Sequence, residues 1–161
     1  MKIFISGSIS IKQLPPLALE KINSIIEKNY RIIIGDAKGV DFLVQEYLLK
    51  NKYNDVTVYF TGDKIRNNAG DWETNQIIVD TEKIKGRQLY TVKDKAMAND
   101  ADYGLMIWDG KSKGTLGNIN EMKRLNKQFY VILNGKVVDD RYFNFEIKQK
   151  NIENELQPAL L

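Results

Sequence analysis

The chain has 161 residues, enough for one domain with a substantial core, and 43% of them are hydrophobic, ordinary for a folded protein and too many for a disordered one. Its 24 basic and 21 acidic side chains leave a net charge of +3, with no basic block and no arginine-rich stripe. That balance argues against a nucleic-acid footprint and fits a small anionic ligand, which needs only a local positive site. Cysteine and histidine are both absent. Disulfides, thiolate catalysis, Cys-type zinc sites, serine–histidine triads and most transition-metal sites are thereby excluded, and acid–base chemistry falls to carboxylates, lysines or tyrosines.

Strand-like and helix-like segments alternate along the chain. Lys2–Ser6 reads as a short buried strand, and Pro15–Pro16 open a helix whose apolar face is Leu19, Ile22, Ile25 and Ile26. Arg31–Ile34 is a second strand. Val40–Lys50 is a second helix, with Val40, Leu43, Val44, Tyr47 and Leu48 in its stripe, and Val56–Phe60 is a third strand. Residues 61–88 break the rhythm, being polar, glycine-bearing and too long for a passive connection. Within them 73–84 reads equally as a short helix or a strand. The segment is expected to close over a ligand, with Arg66, Asn67, Asn68, Trp72 or Arg87 selecting it. Thr91–Asn99 looks helical, Tyr103–Trp108 is a fourth strand, Leu116–Asn126 a helix and Phe129–Leu133 a fifth strand. Asn134–Gly135 signals a hairpin onto Lys136–Val138, and the charged last twenty residues suggest a strand and a terminal helix.

No run of about eighteen apolar residues exists, so no membrane span is expected. MKIFISG is too short an apolar stretch for a signal peptide, which makes the cytoplasm the default expectation. Alternating elements with continuously apolar strands predict an α/β fold, a mostly parallel sheet covered by helices on both faces. The whole chain, 1–161, reads as a single domain with a core over about 1–133 and a C-terminal hairpin and helix extension over 134–161.

In such sheets ligands sit beyond the carboxyl ends of the strands. Three glycine-bearing loops fall there: Ser6–Gly7–Ser8, Gly35–Asp41, and Asp109–Thr115, the last leading into a helix. Glycine admits close backbone approach, and a helix N-terminus adds partial positive charge, a combination suited to phosphate. Ser112, Thr115 and free amides are the donors there, with Lys111 or Lys113 adding charge; alternatively, Thr115 only caps the helix. Asp36 and Asp41 suit ribose hydroxyls, or Asp41 caps the helix that begins beside it. Trp72 and Trp108 either stack on a base or pack in the core. Neither the dinucleotide G-x-G-x-x-G nor the Walker pattern is present, and no cofactor and no metal are expected.

Four motifs, taken in order, resemble a known family: ISGS at 5–8, GDAKGVD at 35–41, KDKAM at 93–97 and ADYGLMIWDGKSKGT at 101–115. They resemble the SLOG superfamily of Rossmann-like proteins, over about residues 1–133. That group includes the cytokinin-activating phosphoribohydrolases, the DNA-processing protein A of transformation and many small bacterial and phage proteins. The DGKSKGT loop is also similar to that of nucleoside deoxyribosyltransferases. The resemblance implies a Rossmann-like three-layer sandwich that binds a nucleotide or nucleotide-derived ligand. Carried over by position, Ser6, Gly7 and Ser8 line the site, and Gly35, Asp36, Gly39 and Asp41 form the glycine–aspartate turn. Gly114 and Thr115 match the family's phosphate-binding Gly-Thr, and Asp109, Gly110, Ser112 and Asn118 complete the candidate ligand-binding residues of that loop and helix. Lys93 and Asp94 fall where the hydrolases have an Arg-Lys pair, and Met97 keeps their methionine. The resemblance allows a homodimer, which nothing in the chain itself requires.

Three departures matter. The hydrolases read Gly-Thr-x-x-Glu, with a catalytic glutamate, where this chain has Asn118. Lys93 replaces their arginine, and Ile9 stands where relatives have arginine after SGS. Each change removes support for glycosidic cleavage, which needs a carboxylate at the oxocarbenium-like centre. The expected function is therefore binding, by a protein that senses or sequesters a nucleotide-derived small molecule. The alternative is an N-glycosidase or (deoxy)ribosyl transferase with its carboxylate among Asp36, Asp41, Asp94, Asp109 and Glu121.

Overall fold

A computed structural model of the chain describes residues 1–80 and 82–138. Its elements run β1 (Lys2–Gly7), α1 (Pro16–Glu27), β2 (Arg31–Gly35), α2 (Val40–Lys50), β3 (Val56–Phe60), β4 (Glu73–Gln76), α3 (Arg87–Asp100), β5 (Tyr103–Trp108), α4 (Lys113–Arg124), β6 (Gln128–Leu133) and β7 (Lys136–Val137). The strands form one seven-stranded sheet in the order β4-β3-β2-β1-β5-β6-β7. All neighbours are parallel except the β6–β7 hairpin. The terminal helix and strand expected from the last twenty residues lie in 139–161, outside the described residues.

The strand sequences explain the layering. Successive side chains point to opposite faces. Ile3, Ile5, Ile32, Ile34, Val58, Leu105 and Ile107 gather in one core with Ala18, Ile22 and Ile25 of α1 and Val40, Val44 and Leu48 of α2. Phe4, Ile33, Tyr59, Met106 and Val131 gather in another with Met97 and Ala98 of α3 and Ile119 and Met122 of α4. Both faces are apolar because both are covered, and the result is an α/β Rossmann-like three-layer sandwich. Among the described residues no helix is long and apolar enough to cross a membrane.

Two helices begin earlier than their apolar stripes. α4 starts at Lys113 because Ser112, not Thr115, is its N-cap, the Ser112 Oγ accepting from the Thr115 amide at 3.3 Å. α3 starts at Arg87, and its first turn, Arg87–Tyr90, has no apolar periodicity to announce it. The ambiguous 73–84 segment contributes a strand, β4, beside β3. At the hairpin, Asn134 and Gly135 both take positive φ, 49° and 83°, as a type I′ turn requires.

The β3–β4 connection departs from the expected lid. Trp72 is buried in the α1–α2 core and donates its indole N–H to the Tyr53 carbonyl at 2.9 Å. Asn68 brackets it, accepting from the Trp72 amide and donating to the Trp72 carbonyl, both at 3.0 Å. The fully buried Gln45 of α2 donates to the carbonyls of Gly35 and Asn67 and accepts from the Ala69 amide. Residues 66–72 are thus held to the domain by their own polar groups, while residues 62–64 and Ile78 are exposed.

β1 to β4 step outward in one direction, and β5 and β6 lie on the other side of β1. The connections diverge between β1 and β5, and a crevice opens at their carboxyl ends. Gly39 closes one side of it. Its φ is +75°, and a Cβ there would lie 2.5 Å from the Ile9 backbone. Gly62 has a similar φ of +82° with nothing near it. Gly39→Ala is therefore expected to lose about 2–3 kcal/mol, at least about 1 kcal/mol more than Gly62→Ala. Urea denaturation of the two variants measures this, and equal losses would mean that the Ile9 loop yields freely.

Candidate functional site

Two glycine-dependent approaches shape the floor of the crevice. A Cβ on Gly7 would come within 2.5 Å of the Ile107 carbonyl oxygen and of Val40, so only glycine lets β1, β5 and α2 meet there. A Cβ on Gly35 would come within 2.6 Å of Asp41 Oδ2 and 3.0 Å of Lys93 Nζ, so this glycine leaves room for those two groups to face each other.

The β5–α4 loop is built by its own polar residues. Asp109 Oδ1 accepts from the amides of Lys111 and Ser112 at 2.8 and 2.7 Å, and Oδ2 accepts from Ser10 at 2.6 Å. Desolvation opposes ionisation of Asp109, but the bonds from Ser10, the Ser112 and Lys111 amides and Ser8 outweigh it and hold its carboxyl down to about 2. Gly110 turns the chain with φ +80°, and Trp108 donates its indole N–H to the Ser112 carbonyl at 3.0 Å. Ser8 is fully buried; it accepts from the Asp109 amide at 3.0 Å, and its hydroxyl lies 3.5 Å from that of Thr115. The loop thus presents the first turn of α4 in a fixed position. Among the described residues the amides of Lys113 and Gly114 have no partner, as expected of a helix N-terminus.

On the other side, Asp36 is 1% exposed and holds two cations. It accepts from the Arg66 amide at 2.9 Å and the Arg66 guanidinium at 2.6 Å, and Lys93 Nζ lies 3.3 Å away. Burial works against its charge, but the Arg66 bonds and the Lys93 and Arg66 charges outweigh it and hold the carboxyl below its ordinary value. Lys93 is itself 3% exposed and sits 5.7 Å from the centre of the Tyr90 ring, over which the Arg66 guanidinium lies at 4.5 Å. Asp41 accepts from the Ala37 amide at 3.2 Å and does not cap α2, whose N-cap is Gly39. Asn118 donates to Ser6 Oγ at 2.6 Å.

These groups surround a cleft of about 770 Å³. Of the residues expected from the sequence, Ser6, Gly7, Asp41, Lys93, Asp94, Ser112, Gly114, Thr115 and Asn118 line it. Ser8, Gly35, Asp36, Gly39, Asp109 and Gly110 do not; they brace the walls in the ways just described. Arg66, Arg87, Lys111 and Lys113 complete the wall with Ile9, Ala37, Gly86 and Tyr90. Tyr90 was not anticipated. It lies at helical spacing from Arg87, Lys93 and Asp94, and a helix begun at 87 would have put all four on adjoining faces. Trp72 and Trp108 are core residues rather than stacking platforms, and Met97 is likewise in the core. Glu121 is ion-paired with Arg124 at 2.6 Å.

The lining carries five cationic side chains against two carboxyls, Asp41 and Asp94. Desolvation pushes Asp41 up to about 7, with Lys93 and the Ala37 amide opposing and the Asp94 and Asp36 charges adding. Desolvation likewise pushes Asp94 up to about 6, opposed by Lys93, by a hydrogen bond with Asn118 and by Arg66. Near neutral pH both are partly protonated, and a protonated carboxyl donates a hydrogen bond where an ionised one would repel an anion. No protein-family model matches the chain, and no match was found among curated proteins.

The raised carboxyls make stability depend on pH with a definite sign. Each holds its proton more tightly in the folded chain than at the ordinary value of 3.8, so their contribution is complete below about pH 4 and is lost as pH rises through about 6 and 7. The melting temperature is expected to fall between pH 5 and 8, and Asp41→Asn, which has no proton to lose, should fall less. Calorimetry across that range checks it; parallel curves for the two proteins would show that Asp41 is not the source.

Proposed function

We propose that the chain is a SLOG-type protein that binds a nucleotide-derived small molecule in this cleft, and thereby senses or sequesters it. The observation that supports this most directly is the convergence of Arg66, Arg87, Lys93, Lys111 and Lys113 with the unpaired amides of Lys113 and Gly114 on one cleft of about 770 Å³. Helix N-terminal amides and a surrounding positive field are what a phosphate requires. The volume falls within the range of about 300–1,000 Å³ usual for small-molecule sites. Asp41, Asp94, Asn118 and Ser6 supply the mixed donors and acceptors that suit sugar hydroxyls.

A second reading, an N-glycosidase or (deoxy)ribosyl transferase, is favoured by one observation. Asp94 and Asp41 line the cleft and titrate near neutral pH, where a carboxyl can exchange a proton. Against it, the position that carries the catalytic glutamate in the resembling hydrolases is Asn118, which is neutral and hydrogen-bonded to Ser6. Incubation with nucleoside monophosphates, followed by chromatography for free base, separates the two readings. Negligible release is expected, and multiple turnovers would transfer the function to Asp94 and Asp41.

The binding reading makes a further demand on Gly114. A Cβ there would meet only Ser112 Oγ, at 3.9 Å, so a larger side chain leaves the fold alone and blocks only what lies against the helix end. Gly114→Val is expected to weaken nucleotide binding at least about tenfold, the loss of roughly one or two hydrogen bonds, with an unchanged melting temperature. Thr115→Val should lose about threefold, because that hydroxyl already bonds to Ser112 at 3.2 Å. Titration calorimetry against nucleoside mono-, di- and triphosphates reads both. An unaltered affinity in the folded Gly114 variant would move the anion site away from α4.

A further inference from the structure

The cleft does not end at the sheet. A groove of about 210 Å³ runs from it between α3 and α4, and Tyr90, Asp94, Gly114 and Asn118 line both spaces. Tyr90 is 42% exposed, a large fraction for an aromatic ring set inside a cleft wall, and the Arg66 guanidinium rests over it at 4.5 Å. On the opposite wall, among Lys113, Asn118 and Glu121 of α4, Gly117 leaves a gap: a Cβ there would meet nothing within 4 Å. Glycine inside a helix is destabilising relative to alanine, and here no packed neighbour accounts for it. The groove is smaller than the range of about 300–1,000 Å³ typical of whole ligand sites, so it has room for a part of a ligand. Gly114 and Gly117 are separated by about 4.5 Å of helix rise, so a group in the groove and an anion at the helix end lie within the span of one small molecule.

We propose that this groove is the subsite for the flat aromatic part of the ligand, a nucleobase lying between Tyr90 and the Gly117 surface of α4. The phosphate of the same molecule sits at the Lys113–Gly114 amides, and Asp94 and Asn118 meet the sugar between them. This rests on the nucleotide reading above. It adds that the base, and not only the phosphate, supplies binding energy, and it makes Tyr90 and Gly117 the residues that choose the ligand.

The test compares binding of AMP, GMP, CMP and UMP with binding of ribose 5-phosphate, which lacks the base, by titration calorimetry. The wild-type protein is expected to bind at least one of the four at least tenfold more tightly than ribose 5-phosphate. Gly117→Leu, which fills the groove without touching the helix end, should remove that tenfold advantage and leave ribose 5-phosphate binding unchanged. Tyr90→Ala should reduce the same advantage. Gly117→Ala, expected to fold at least as stably as the wild type, serves as the folding control by circular dichroism. Equal wild-type affinities for ribose 5-phosphate and all four nucleotides, or an advantage that survives Gly117→Leu, would overturn the base subsite while leaving the anion site standing. Binding of none of the five would overturn the nucleotide reading and this inference with it.

Discussion

The site depends on one buried charge. Asp36 directly follows β2, the neighbour of the central strand β1, and is buried there, and a carboxylate so placed must be matched where it lies. It is matched by Arg66 from the β3–β4 connection and Lys93 from α3. These come from parts of the chain that share no strand pairing with one another, and the carboxylate draws both to the same edge of the cleft. A buried ion pair contributes little net stability, since desolvation consumes most of the Coulombic gain, but removing one partner is expensive. The pairing therefore acts on placement: it fixes where two cations stand and leaves their remaining donors beside the cleft.

The same arrangement controls protons. Lys93 lies among Asp36, Asp41 and Asp94, and one ammonium does not neutralise three carboxylates. Asp36, held by Arg66 as well, keeps its charge, while desolvation lifts Asp41 and Asp94 toward neutral pH. The cleft is then more positive than a count of its carboxyls implies. A negative charge placed in it would tighten the hold of both carboxyls on their protons.

Much of the architecture was legible in the sequence because it depends on local pattern. Val40–Lys50 and Tyr103–Trp108 have the expected bounds, since an apolar stripe and an apolar run each declare their own ends. The three loops at the strand ends also stand where the fold rule puts them. The division of labour within those loops was not legible. Ser8, Asp36, Gly39 and Asp109 look like ligand-facing residues in the sequence, yet each is committed to a partner far away in the chain or to its own turn. A serine that ties β1 to the β5–α4 loop has the same local signature as one that binds phosphate. Tyr90 escaped for the converse reason, because the first turn of α3 has a cleft-facing side rather than a core-facing one and so shows no hydrophobic period. The anchoring of 66–72 depends in part on Gln45, a buried polar residue of α2 that no periodicity marks as structural.

Asn118 stands where β1 and α4 meet the cleft. In the phosphoribohydrolases that the Gly114–Thr115 motif resembles, its position is a glutamate. Here the amide donates to Ser6 Oγ at 2.6 Å, tying β1 to α4 at the back of the cleft. A carboxylate in its place would lose that donation and add a like charge to the cleft wall that Asp94 shares, raising one of the two carboxyls still further. A glutamate at 118 would therefore not by itself recreate a hydrolase. Burial raises the Asp94 carboxyl to about 6 against the opposing pull of Lys93 and Asn118, which both favour its ionised form.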